Sequence, residues 1–345
     1  MNKGKIQTVL GPIEPDSLKT TLMHEHLICS LLSALIKPET SADKRNANSP
    51  ITLQNLGWVR QNWLKSKSNL VLDDEKLAIN ELLKFKQLKG NSIVDVSSNG
   101  LYGDPTAVAR ISRATGVNVV FGTGYYVDAA LSAEFEKKSQ ETITQEIIDN
   151  ITIGFAETGI KAGIIGEIGT TWPLTSLEEK SLKAAIDAHN ITGAALSIHL
   201  GKHPKSPFYI LEILQKKNAN INKVIFCHMD RTIEERNSLK AVAESGVNLE
   251  YDTFGMEVSY FPYSYYYLPS DAEKIKRIMW LIEDGFIDQI VVSQDIACKI
   301  RLQEYGGTGY GHILEYIIPW MKELGVSEKE LNKILEENPR KILTF

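Results

Sequence analysis

Residues 162–169 read AGIIGEIG. The run is short, built from β-branched and small residues, and lacks the polar alternation of a strand with one wet face. It therefore reads as a strand buried on both sides, as a parallel sheet requires. Six further segments read the same way: SIVDVSS (92–98), VNVVFGTG (117–124), AALSIHLG (194–201), NKVIFCH (222–228), VNLEYD (247–252) and DQIVVSQD (288–295). With an earlier one, the expected strands are 19–24, 92–97, 117–122, 162–167, 194–199, 223–228, 247–251 and 289–294. Their starts lie mostly about 25–40 residues apart, room for one helix and two loops. Helices fit these gaps. Segment 73–90 opens on two aspartates, places Ala78, Leu82 and Phe85 near one face and stops at Gly90, while 271–283 carries Ile275, Ile278, Met279 and Ile282 at helical spacing. Eight strands each followed by a helix predict an α/β fold, a closed (β/α)8 TIM barrel, as one domain over residues 1–345. An open doubly wound sheet is the rival, but no GxGxxG follows the first strand. The long gap between the first two strands reads as a helical insertion, with its helix around 54–64.

Composition narrows the function. The chain has 345 residues, 43% hydrophobic and 23% charged, as a packed globular protein does. Its 38 Lys+Arg against 43 Asp+Glu give a net charge of −5, and no basic run offsets it, which argues against nucleic acid as a partner. No apolar stretch approaches the roughly 20 residues of a membrane span. The N-terminal segment carries polar residues and prolines where a secretory signal would be apolar. Three widely spaced cysteines without a CxxC pair fit reduced thiols in a cytoplasmic protein.

Four of the seven histidines, His24, His26, His199 and His228, fall at or just past the C-terminal end of an expected strand, and Glu167 and Asp295 occupy the equivalent place. In a barrel those ends converge on one mouth. His24-Glu25-His26 puts two imidazoles at i and i+2, on the same side of an extended strand. Any of these residues alone is as easily a satisfied polar group or, for Asp295, a helix cap. Together they predict a metal centre. Four imidazoles and two carboxylates exceed the three protein ligands of a usual catalytic zinc, so two divalent cations bridged by a carboxylate and a hydroxide are expected. Nitrogen-rich ligation favours zinc, with manganese, cobalt or iron as alternatives. The expected reaction is hydrolysis by the bridging hydroxide, with Asp295 as the catalytic residue that passes its proton to the leaving group. A cationic site of this kind suits a small anionic substrate. Neither GxSxG nor HExxH competes.

The stretches IQTVLGPIEP (6–15), HEHL (24–27), GIIGEIG (163–169), IHLG (198–201), HMDRT (228–232), LEYDTFG (249–255), DIACKIRLQEYGGTGYGHIL (295–314) and ENPRKILTF (337–345) resemble the phosphotriesterase family of the amidohydrolase superfamily, nearly end to end. Within it they look most like the phosphotriesterase-related branch. The resemblance implies the same six residues as metal ligands, and an amidase cleaving N-acetyltaurine or related N-acyl amino acids. One position departs from the founding phosphotriesterases and lactonases, which bridge their metals with a carboxylated lysine. This chain has Glu167 there, with the same single charge and no need of carbon dioxide, and Lys161 lies too early on the strand to substitute. A lactonase or phosphotriesterase using the same metals, and a non-catalytic small-molecule-binding barrel, are the alternatives.

Around the mouth, Tyr125 and Tyr126 are placed either on the pocket wall or in packing. Lys202, His203, Arg231, Lys299 and Arg301 all follow ligand-bearing strands, and each either meets the acid group of a substrate or pairs with a neighbour. Arginine is favoured for a planar carboxylate. The aromatic run YFPYSYYY (260–267) is expected as a lid or as a subunit contact, the second making a homodimer.

Overall fold

The computed structural model describes residues 4–257 and 268–345. Eight strands form one sheet: β1 Thr21–Glu25, β2 Ser92–Asp95, β3 Asn118–Thr123, β4 Ile164–Gly169, β5 Leu196–His199, β6 Val224–Cys227, β7 Asn248–Tyr251 and β8 Ile290–Val292. They lie side by side in chain order and every neighbouring pair is parallel. The expected strands are all present with ends displaced by a residue or two: β1, β3 and β4 run past their expected ends, and the others are shortened. β8 is the most shortened because Glu25 takes over the groups just past it: its Oε1 accepts from Ser293 Oγ (2.8 Å) and the Gln294 N–H (2.9 Å), and its Oε2 from the Ile296 N–H (2.9 Å). These bonds, with the Asp295 N–H donating to the His24 carbonyl at 3.2 Å, draw β8 onto β1 and bring the sheet round into a barrel.

Each strand leads into a helix that returns along the outside. These are α1 Glu75–Gln87, α2 Pro105–Thr115, α3 Gln140–Thr152, α4 Ser176–Thr192, α5 Ser206–Lys216, α6 Arg236–Ala243 and α7 Asp271–Glu283. After β8 the same role falls to Ile313–Ile317 and Ile318–Glu323. The starts follow local chemistry: Asp74 caps α1 through the Leu77 N–H, and Thr175 with Glu178 and Ser270 with Glu273 form capping boxes on α4 and α7. Between β1 and α1 lie two short helices, Ser41–Ala47 and Leu56–Gln61, and a ribbon pairing Cys29–Ser30 with Val71–Leu72.

The sheet is covered on both faces. Outside it, Leu82, Phe85, Ile111, Ile147 and Ile186 pack against strand residues such as Ile93, Val119 and Ile165. Inside, Val94, Val120, Ile164, Ile225 and Val291 pack with Ile6, Leu18, Ile342 and Leu343. The floor of the barrel is therefore sealed by both ends of the chain, an N-terminal hairpin (Ile6–Thr8 with Gly11–Ile13) and the final helix Asn338–Leu343. The ends also pair directly: the Gly4 N–H donates to the Phe345 carbonyl and the Phe345 N–H to the Lys5 carbonyl, both at 3.2 Å. Cys29, Cys227 and Cys298 are free and buried. No helix among the described residues is long and apolar enough to cross a membrane.

Candidate metal centre

With the floor sealed, function is left to the opposite end, where the strands finish. His24, His26, Glu167, His199, His228 and Asp295 meet there. Two strands bend locally to deliver their side chains: β1 shifts its pairing register with β2 between Leu22 and Glu25, around His24, and β4 shifts against β5 between Ile165 and Ile168, around Glu167. Such irregularities re-aim side chains at strand ends. Gly166, at φ +129°, must be glycine because a Cβ there would lie 2.4 Å from the Ser197 carbonyl oxygen.

Glu167 stands in the middle. Its Oε1 is 3.5 Å from both His24 Nε2 and His26 Nε2, while its Oε2 is 2.7 Å from His199 Nδ1 and 3.7 Å from His228 Nε2. Asp295 Oδ1 closes the first group, 3.7 Å from His24 Nε2 and 3.3 Å from His26 Nε2. In the second, His228 Nε2 and His199 Nδ1 are 2.9 Å apart. Within each of three sets (His24, His26 and Glu167; Glu167, His199 and His228; His24, His228 and Asp295) the donor atoms all lie within 4.8 Å of one another.

These residues fit divalent cations. His24 Nε2 is buried without a hydrogen-bond partner, facing two carboxylate oxygens. Two atoms that bind one tetrahedral ion at about 2.0–2.2 Å are themselves roughly 3.3–3.6 Å apart, near the spacing in the first group. The electrostatics agree. Burial alone would lower His24 and His26, but Glu167 and Cys227 outweigh it at His24, and Asp295 and Glu167 at His26, so both are raised and draw positive charge. Burial would likewise raise Glu167 and Asp295, but the surrounding histidines hold both well below the carboxylate range. His199 and His228 are lowered by burial, with Arg231 adding to it, and so present neutral imidazoles.

Neighbouring groups set the ring orientations. Ser97 Oγ lies 2.9 Å from His26 Nδ1. Asp252, just past β7, accepts from the His228 N–H through Oδ2 (2.8 Å) and from His228 Nδ1 through Oδ1 (2.7 Å). Sequence reasoning missed Asp252, although an acid at a strand end is the same signal that marks Glu167 and Asp295.

Access is one-sided. The side chains of His24, His26, Glu167 and His228 are at most 2% exposed, whereas Asp295 is 23% and His199 14% exposed. Arg231 lies beside that opening, its Nη2 3.3 Å from His199 Nε2 and its Nη1 donating to the Leu200 carbonyl at 3.4 Å. Tyr126 packs edge-on to the His199 ring with centroids 5.0 Å apart. The other expected substrate residues sit elsewhere. Tyr125 donates to Glu146 Oε2 (2.5 Å), accepts from Lys138 and packs on Phe135, away from the histidines. Arg301 is buried, its Nη2 donating to the carbonyls of Phe254 (2.8 Å) and Gln294 (2.9 Å), so it ties the loops after β7 and β8 together. Lys299 pairs with Asp73 at 3.6 Å. The aromatic run 260–267 lies outside the described residues.

Comparisons with known proteins find relatives over nearly the whole chain. The model of the Phosphotriesterase family matches residues 4–343. The N-acetyltaurine hydrolase of Xenopus tropicalis is 42% identical over 344 residues, covering 99% of this chain and 98% of its own. The phosphotriesterase-related protein of Nematostella vectensis is 40% identical over 349 residues, with 100% of both chains covered. Among solved structures, a resiniferatoxin-binding protein from Rhodobacter sphaeroides superposes with a TM-score of 0.96 at 34% identity, over 99% of this chain and 95% of that one.

Proposed function

The chain belongs to the phosphotriesterase family and is a metal-dependent hydrolase, and on that footing we propose that it is a binuclear amidase cleaving N-acetyltaurine or a related N-acyl amino acid. The observation that carries the binuclear reading is the division of Glu167, which turns one oxygen to the β1 histidines and the other to His199 and His228. His24, His26 and Asp295 would hold one ion, His199 and His228 the other, and Glu167 both. Bound there, the ions would supply a Lewis acid for the acyl oxygen and bring the pKa of the attacking water to about 7. The names carried by relatives such as the Xenopus tropicalis protein support the amide substrate.

The protein's own groups account for the rest. Asp295 is the carboxylate open to the mouth and is held ionised, so it is placed to take a proton from the attacking water. It then delivers that proton to the departing nitrogen, which an amide needs because an unprotonated amine leaves poorly. Arg231, beside His199 at the open edge, would meet the acid group of the substrate. Lys202 follows on the loop after β5. Burial, and then the charge of Arg231, pushes its amine down to about 5, so an anion bound beside both groups would favour its protonated form.

The test is taurine release from N-acetyltaurine by protein reconstituted with zinc or manganese, with Glu167→Ala as background. Release by the wild type alone supports the proposal. Hydrolysis of lactones or phosphotriesters by a fully metallated protein that leaves N-acyl amino acids intact would overturn the amidase reading.

A further inference from the structure

Strand β7 carries a second acid, Glu250, two residues before Asp252. Side chains at i and i+2 share a face of a strand, and both of these turn into the barrel beneath the mouth. Glu250 is fully buried. Its Oε2 accepts from His24 Nδ1 at 3.4 Å, and its Oε1 has no hydrogen-bond partner. Among the described residues no lysine or arginine pairs with it, and its neighbours in the interior are His24, Cys227 and Asp252, whose donor atoms lie within 4.8 Å of one another. A carboxylate taken out of water in this way is costly unless something nearby compensates it, and an apolar or amide side chain of similar size would be cheaper. Among the described residues its one hydrogen bond is to the back of the imidazole whose other nitrogen faces Glu167 and Asp295.

We propose that Glu250 is a positioning residue for one half of the metal centre, the half that includes His24. By accepting the Nδ1 proton it holds His24 in the tautomer with a bare Nε2, turned toward Glu167 and Asp295, and makes that nitrogen a better donor. Asp252 acts in the same way on His228, with Nδ1 at 2.7 Å. Its other oxygen lies 3.5 Å from His24 Nδ1 but is already engaged with the His228 N–H at 2.8 Å. One strand therefore supports the two groups separately, Glu250 through β1 and Asp252 through β6. This rests on the binuclear reading above.

The test is an equilibrium titration of metal-stripped protein with zinc against a competing chelator, which resolves two affinities in the wild type. Glu250→Gln, nearly isosteric, is expected to weaken one ion by about 10–100-fold and to leave the other within about threefold. Combined with His24→Ala it should weaken binding no further than His24→Ala alone, because the residue acts through that ring. Two unchanged affinities, or full additivity with His24→Ala, would overturn the proposal. So would equal weakening of both ions alongside a lower melting temperature of the stripped protein, which would make Glu250 a support of the barrel. Should Glu250→Gln not fold, Glu250→Asp, which draws the carboxylate back from His24, must still weaken one ion selectively. A wild type that binds fewer than two ions would instead defeat the binuclear reading itself.

Discussion

Asp252 grips His228 at two points, accepting its backbone N–H at 2.8 Å and its Nδ1 at 2.7 Å. The grip has a reason in the backbone. His228 has φ +59°, a left-handed conformation that side chains other than glycine rarely adopt and that costs on the order of 1–3 kcal/mol. The turn aims the ring at Glu167 and His199, and the double hydrogen bond keeps it there. Asp252→Asn leaves an amide N–H₂ facing one of the two donors. We expect it to weaken metal binding by about 10–100-fold, measured by chelator competition. Wild-type affinity for both ions would contradict this account of the turn.

Asp295 shares the left-handed backbone, with φ +51°, and is the most exposed carboxylate of the cluster at 23%. Asp295→Asn keeps one oxygen for the metal and cannot accept a proton. The expected outcome is retained metal content with amide turnover reduced by about 100-fold or more. Turnover close to that of the wild type at full metal loading would remove Asp295 from proton transfer.

Two arginines near the mouth should respond in opposite ways. Arg231→Ala removes a cation beside His199, and its expected effect is a raised KM for anionic substrates with little change in melting temperature. Arg301→Ala strips the carbonyls of Phe254 and Gln294 of their donor, at about 1–3 kcal/mol for each buried group left unpaired. Its signature is therefore a lower melting temperature. A large KM effect in the folded Arg301→Ala enzyme would return that residue to the substrate site.

Stability should also depend on Asp271, which caps the loop after β7. It accepts from the Gly255 N–H at 3.0 Å and pairs with His312 (2.7 Å) and Lys274 (3.0 Å). Burial would raise this acid, but His312 and Lys274 outweigh it and bring it down to about 2. A depressed acid stabilises the fold above its unfolded pKa of about 4, and that stabilisation is lost as the pH falls toward the folded value. The gap corresponds to roughly 2 kcal/mol. In metal-stripped protein, the stability difference between wild type and Asp271→Asn should shrink between about pH 4 and pH 2. A difference that stays constant over that range would show the ion pairs to be unimportant.

What the chain reveals about itself divides along physical lines. Strands buried on both faces leave apolar runs, and the i, i+2 spacing of His24 and His26 survives into the structure as two rings 5.4 Å apart. Side-chain direction beyond a strand end does not survive in this way. β3 stops at Thr123, and Gly124, at φ +133°, turns the chain so that Tyr126 faces His199 while Tyr125 packs outward. The left-handed turns at His228 and Asp295 carry only a weak composition signal, since His and Asp are enriched in that region but are far more often found outside it. VNLEYD scans as one more buried strand; the acid at its end could have flagged Asp252, but nothing in it marks that Glu250 faces a charged interior.

The paired chain ends have a practical side. Gly4 and Lys5 bond to Phe345 on the sealed floor, at the far pole from the histidine and carboxylate cluster. A tether or fusion partner attached at either end would stand the molecule on its closed base with the mouth turned to solution. The same closeness lets a short linker join the two ends, so that a circular permutant could be opened at an exposed outer loop while every strand kept its neighbours.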